Sequence, residues 1–144
     1  MNILDIAILI FVILETSNVC ILYFAPDSKL GNGVAVFNAW SELKEKEDLH
    51  LFARYMTCWV AGTKLIFIVL LLVIVFVGNE ATKIWGVAVM IASIATYYWK
   101  LNPIMIKLDS MGCITPKGYS KTLFAMITVF CVLFAVALGF YLWR

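Results

Sequence analysis

Four runs of about twenty mostly apolar residues decide what this chain can fold into. They extend from about Ile3 to Phe24, Tyr55 to Val77, Thr82 to Leu101 and Tyr119 to Trp143. A hydrocarbon core ~30 Å thick is crossed by about 20 apolar residues of helix, so each run is long enough to span one. Backbone groups inside a bilayer must satisfy one another, which leaves helices or closed barrels. Barrel strands alternate apolar and polar residues, and these runs do not. Hydrophobic residues make up 64% of the chain and charged residues 14%, far from the roughly 45–50% and about 25% of soluble domains. The expectation is an all-α polytopic membrane protein, a four-transmembrane-helix bundle forming a single transmembrane domain over residues 1–144. The first run reads as a retained helix and not a secretory signal: it lacks a basic leading segment, carries Asp5 and is too long.

Lysine and arginine give the orientation. Lys29, Lys44, Lys46 and Arg54 flank the connection between the first two spans, and Lys100, Lys107, Lys117 and Lys121 that between the last two. The other side carries Lys83 and Arg144. This asymmetry places both longer connections in the cytoplasm and both termini outside or in a lumen.

The first long connection opens with the turn-rich stretch "APDSKLGNG", residues 25–33. Residues 34–50 read as one amphipathic helix at the cytoplasmic interface. Val36, Phe37, Trp40 and Leu43 share an arc, with Trp40 at headgroup depth. The alternating charges of "ELKEKED" read as its solvated face. In the second long connection, Pro103 is expected to kink or end the third span near Asn102.

The four cysteines, Cys20, Cys58, Cys113 and Cys131, are dispersed and form no CxxC motif, so free thiols are expected. With His50 as the lone histidine, neither a metal site nor bis-His haem ligation is expected. No cofactor and no nucleic-acid partner is implied.

Two charges lie deep in the spans. Glu15 is nine residues from Phe24 and Lys64 nine from Tyr55, which puts both about 14 Å into the membrane from the same side at ~1.5 Å per residue. Opposite charges at equal depth on antiparallel helices predict a Glu15–Lys64 contact. Each costs roughly 2.5–3.5 kcal/mol to insert alone at a helix centre, so pairing is strongly favoured. Asn18 shares the Glu15 stripe, and Ala53, Thr57 and Ala61 share that of Lys64. Ser93, Thr96, Ser120, Thr122 and Thr128 fall in the same half. The other half is apolar apart from Asp5, at its outer interface, and Tyr141. A through-pore needs polar residues along its whole length. The pattern points instead to a blind pocket open to the cytoplasm or inner leaflet.

The candidate ligand-binding residues are Glu15, Asn18, Lys64 and Thr57, with Trp59, Tyr97 and Trp99 as aromatic wall. Lys117, Tyr119, Ser120 and Lys121 begin the fourth span, where backbone N–H groups and two lysines could hold a phosphate or lipid headgroup. The competing readings are ordinary ones: an ion pair that fixes helix register, an interfacial aromatic belt and positive-inside anchoring.

No nucleophile elbow, zinc-protease motif, Walker loop or dinucleotide fingerprint appears, so a non-enzyme is favoured. The first functional expectation is a binding or transport protein whose polar half-membrane pocket takes a small amphipathic molecule or lipid. A lipid-modifying enzyme using the same pocket and a structural subunit of a larger membrane complex are the alternatives. The expected partners are membrane lipids, such a ligand, and further copies of the chain or another membrane protein.

Overall fold

The computed structural model describes residues 1–30 and 33–143. Gly31 and Asn32, at the end of the expected turn-rich stretch, and Arg144, one of the two outer cations, lie outside the described residues. Five helices follow in order: α1 (Ile3–Phe24), α2 (Asn38–Leu43), α3 (Glu47–Val77), α4 (Glu80–Ser110) and α5 (Tyr119–Trp143). No strand occurs among the described residues. Helices α1, α3, α4 and α5 are each long and apolar enough to cross a membrane. The chain is an all-α, multi-pass membrane protein built on a four-helix bundle.

Helices α1 and α5 have the bounds of the first and fourth apolar runs. The other two are longer. Helix α3 starts at Glu47, eight residues before the expected Tyr55, because Glu47 and Asp48 sit favourably on the positive N-terminal end of the helix dipole. Helix α4 passes through Pro103 and ends at Ser110. Proline removes one backbone bond, and membrane helices tolerate that loss. At ~1.5 Å per residue, α3 and α4 reach about 46 Å and project beyond a ~30 Å hydrocarbon core.

The interfacial helix differs more. Residues 34–50 do not form one helix. A 3-10 turn at Val34–Val36 leads into the short α2, and the chain leaves helical geometry before Lys46 caps α3 in extended conformation. The charged stretch is exposed, but it is a corner and not a helical face. Trp40 is buried against the protein and does not lie on an exposed face. Its indole N–H donates to Asp27 Oδ1 at 2.7 Å, and its ring lies 5.3 Å from that of His50.

Helix α1 packs mainly on α3 and also on α5, and α4 packs mainly on α5. With lipid replacing water there is little hydrophobic drive between helices, so close packing decides the arrangement. Small residues serve it where α1 meets α3. Ala61 is fully buried, and a Cβ on Gly62 would lie 3.3 Å from the Tyr23 hydroxyl. Phe11 anchors the centre, edge-on to Phe67, Phe130 and Phe134 with centroids 5.0–5.8 Å apart. Such pairs contribute about 0.5–1.5 kcal/mol beyond area burial. Leu4, Ile8, Val87 and Phe134 complete a dry core toward the end that carries the termini.

At the opposite end, which carries the long connections, a second cluster forms around Val36, Tyr97, Met105, Ile114, Tyr119 and Leu123. Here the two connections are clipped together. An antiparallel bridge pairs Phe37 with Ile114. Asn38 N–H donates to the Cys113 carbonyl at 2.9 Å and Thr115 N–H to that of Val36 at 2.8 Å. The Asn38 side chain adds bonds to the Gly112 carbonyl and the Thr115 hydroxyl. The clip ties the α1–α3 side of the molecule to the α4–α5 side beneath the bundle.

Candidate functional site

One turn below Phe11 toward the loop end, the Lys64 ammonium donates to Glu15 Oε2 at 2.6 Å and to Asn18 Oδ1 at 2.7 Å. The equal depth read from α1 and α3 is realised as a direct contact. The Lys64 and Glu15 side chains are 23% and 19% exposed, so the pair is neither sealed in the core nor fully open. Asn18 is 8% exposed. Because an ammonium only donates, the amide atom facing it is the carbonyl oxygen. The Asn18 Nδ2 group is buried with no hydrogen-bond partner among the described residues.

Three clefts meet at this cluster. One of about 550 Å³ lies between α1, α2 and α3, lined by Asn18, Thr57 and Lys64 with Phe37, Trp40 and Met56. A second, about 690 Å³, separates α1 from α5 and is lined by Glu15, Asn18, Ile21, Thr122 and Met126. The third, about 340 Å³, lies among all four long helices and holds Glu15, Lys64, Ser93, Thr96 and Tyr97. These volumes match small-molecule sites, which run about 300–1,000 Å³. Phe37, at the clip, borders the first and third clefts.

Tyr97 is buried beside the cluster, and Thr57 is buried with its hydroxyl donating to the Ala53 carbonyl at 2.8 Å. The structure does not bring Trp59 or Trp99 to the clefts. They are 60% and 74% exposed on outward faces. Trp59 is five residues from Lys64, about 140° round the helix, and Trp99 is about 200° from Tyr97. Lys100 Nζ sits 4.7 Å above the Trp99 ring, an arrangement suited to an interfacial belt.

The start of α5 is also different from the expected anion cradle. Its donors are already engaged by Asp109 of α4. Gly118 N–H donates to Oδ1 at 2.9 Å, and Ser120 gives Oδ2 its N–H at 3.1 Å and its hydroxyl at 2.5 Å. Tyr119 and Ser120 are buried, and Lys117 and Lys121 point outward. The carboxylate therefore stands where a phosphate would bind. Gly118, at φ +86°, makes the turn that aims these donors, a conformation open to glycine at little cost. Asp109→Ala should destabilise the protein by about 2 kcal/mol, from the lost cap and charged hydrogen bonds. Denaturation in mild detergent measures this, with Asp109→Glu as the control that retains the charge.

The partners of Asp5 and Asp27 also escaped sequence reasoning. Asp5 is buried and pairs with Lys83 at 2.7 Å, the two side chains being 4% and 14% exposed. It also closes a capping box with Asn2 at the start of α1. The available signal was that Lys83 is one of just two cations at the terminal end. Asp27 joins the Trp40 indole and the Lys44 ammonium, the latter at 2.6 Å.

The Lys44 ammonium first, and the Trp40 N–H second, hold the Asp27 carboxyl below the usual carboxylate range. A folded value below the unfolded one adds stability at neutral pH that is lost as pH falls through the folded value. Acidifying from pH 7 to below about 4 should therefore loosen α2 and change Trp40 fluorescence. Asp27→Asn should abolish that step. Because Asp27 is 65% exposed, the accompanying loss of stability should be small.

Comparison with known proteins returns no matching family model, no similar curated protein and no similar solved structure. Among the described residues no group of three or more His, Cys, Asp or Glu is placed to hold a metal ion. The four cysteines are unpaired thiols.

Proposed function

We propose that this membrane protein binds, and carries, a small amphipathic molecule or lipid in a polar pocket confined to one half of the bilayer. The observation that supports the reading is the set of clefts around Glu15, Asn18 and Lys64. An ion pair serving register alone calls for close packing around it. Here the charged cluster is the polar end of three largely apolar spaces, the combination that suits an amphiphile.

The lysine asymmetry supports placing the loop end in the cytoplasm and both termini outside. The clefts then lie in the inner-leaflet half. The clip beneath the bundle favours entry sideways between helices over entry from water. Release of a carried molecule needs a second arrangement of packed elements, and the sparsely packed α3–α4 seam is the place for it.

Native mass spectrometry of protein extracted in mild detergent tests the reading. The expected result is a co-purified amphiphile that the double variant Glu15→Gln/Lys64→Met no longer retains. A bare wild-type protein that also takes up no added amphiphile would sink the proposal and favour the subunit role. The same spectrum reports whether copies of the chain associate.

A further inference from the structure

Resting on the reading above, we infer that the cleft among the four long helices takes the head of a dipolar lipid, one in which a primary ammonium and an anionic oxygen are joined by a short link, as in phosphoethanolamine. Of the three clefts it is the one that Glu15 and Lys64 both line. The first is bordered by Lys64 without Glu15, and the second by Glu15 without Lys64. The Glu15 and Lys64 side chains keep 19% and 23% of their exposure. Their mutual contact leaves groups to spare. Lys64 spends two of its three N–H groups on Glu15 Oε2 and Asn18 Oδ1, and Glu15 Oε1 makes no bond among the described residues.

Ser93 adds a free hydroxyl. Hydroxyls in these spans usually turn back on their own helix: those of Thr16, Ser17, Thr57, Thr63 and Thr128 donate to the carbonyl four residues earlier. Such a bond satisfies a hydroxyl in hydrocarbon without help from another helix. The Ser93 hydroxyl makes no bond among the described residues, and it is exposed on the α4 wall of the same cleft.

Charge narrows the head. Glu15 and Lys64 together are neutral, so a head with a net charge would add an unbalanced ion deep in the membrane, where ions are costly. A dipolar head adds no net charge. Its ammonium meets the Glu15 carboxylate and its anionic oxygen meets the Lys64 ammonium, in charge-assisted hydrogen bonds stronger than those an uncharged head can make. A primary ammonium fits better than a quaternary one, because it has N–H groups to give an oxygen. The cleft's volume of about 340 Å³ suits a head group. The chains can leave it through the sparsely packed seam between α3 and α4.

Diazirine-bearing lysophosphatidylethanolamine, crosslinked to the full-length protein in phosphatidylcholine nanodiscs, tests this. Labelling is expected on the α3 and α4 peptides that contain Lys64 and Ser93. Unlabelled lysophosphatidylethanolamine should compete roughly tenfold better than a lysophosphatidate, an alkylamine or a monoacylglycerol of equal chain length. Ser93→Ala should weaken labelling about fivefold, the worth of one hydrogen bond. Glu15→Gln should shift the preference to the lysophosphatidate, because Lys64 then stands without its anion; an ion pair serving register alone would show no such shift. If Glu15→Gln fails to fold, Ser93→Trp, which fills the cleft from α4, should abolish labelling, and Val132→Trp on an exposed face of α5 should not. Equal or stronger competition by any of the other three amphiphiles, an unchanged preference in a folded Glu15→Gln protein, or labelling that survives Ser93→Trp overturns the inference while leaving the pocket standing. Absence of labelling by photoreactive analogues of all four heads overturns the pocket as well.

Discussion

Lys83→Met should lower the stability of the folded bundle by about 3–5 kcal/mol, the cost of leaving a buried charge without its partner. The carboxylate left behind, Asp5, is 4% exposed and sits where α1 packs against α4. At about 1.4 kcal/mol per factor of ten, the unfolded population should rise more than a hundredfold. Adding Asp5→Asn should restore much of the loss. It removes the stranded charge, and the asparagine oxygen can still accept the Asn2 N–H that Asp5 accepts at 2.8 Å. Chemical denaturation of the single and double variants in the same detergent measures both steps. Equal stability of wild type and Lys83→Met would mean that water reaches Asp5 and that the terminal end is not closed by this pair.

The second large effect is expected at Lys64. Lys64→Met leaves Glu15 beside Asn18 without a cation, and the loss should be about 2–4 kcal/mol. The value lies below the full cost of a dry broken pair because the side chains retain about a fifth of their exposure. Glu15→Gln/Lys64→Met should recover most of the stability and none of the ligand retention. That split separates architecture from binding. A purely architectural pair has no ligand whose retention could be lost, whereas a working site loses its ligand in the single and double variants alike. A double variant that keeps a co-purified amphiphile would move the binding determinants away from the pair.

These contacts differ in how far they could be read from the chain. The Glu15–Lys64 pair was legible because both residues are isolated charges in apolar runs. Insertion cost forces such groups to find each other, and helix rise fixes their depth. Asp5–Lys83 was less visible because both residues lie near span ends, where water could have served them. The Asp109 cap was hidden for a similar reason. Its acceptor is on α4 and its donors follow a turn at Gly118, so the pairing depends on how α4 and α5 meet. The aromatic wall divided by helical phase: Tyr97 turned inward, and Trp59 and Trp99 turned out.

Composition and periodicity by themselves determined that four helices form, that they have the length to cross a membrane, and that Glu15 and Lys64 share a depth. These are properties of single helices, fixed by local hydrogen bonding and by the cost of polar groups in hydrocarbon. Tertiary structure decided the rest. It broke residues 34–50 into a turn, a short helix and a corner, because Trp40 finds Asp27 and Phe37 pairs with Ile114. It placed the carboxylate of Asp109 in the anion position at the start of α5. It left three clefts around the charged cluster, one between α1, α2 and α3, one between α1 and α5, and one among the four long helices. No local rule carries that last outcome, since a cleft belongs to the helices that surround it and to none of them alone.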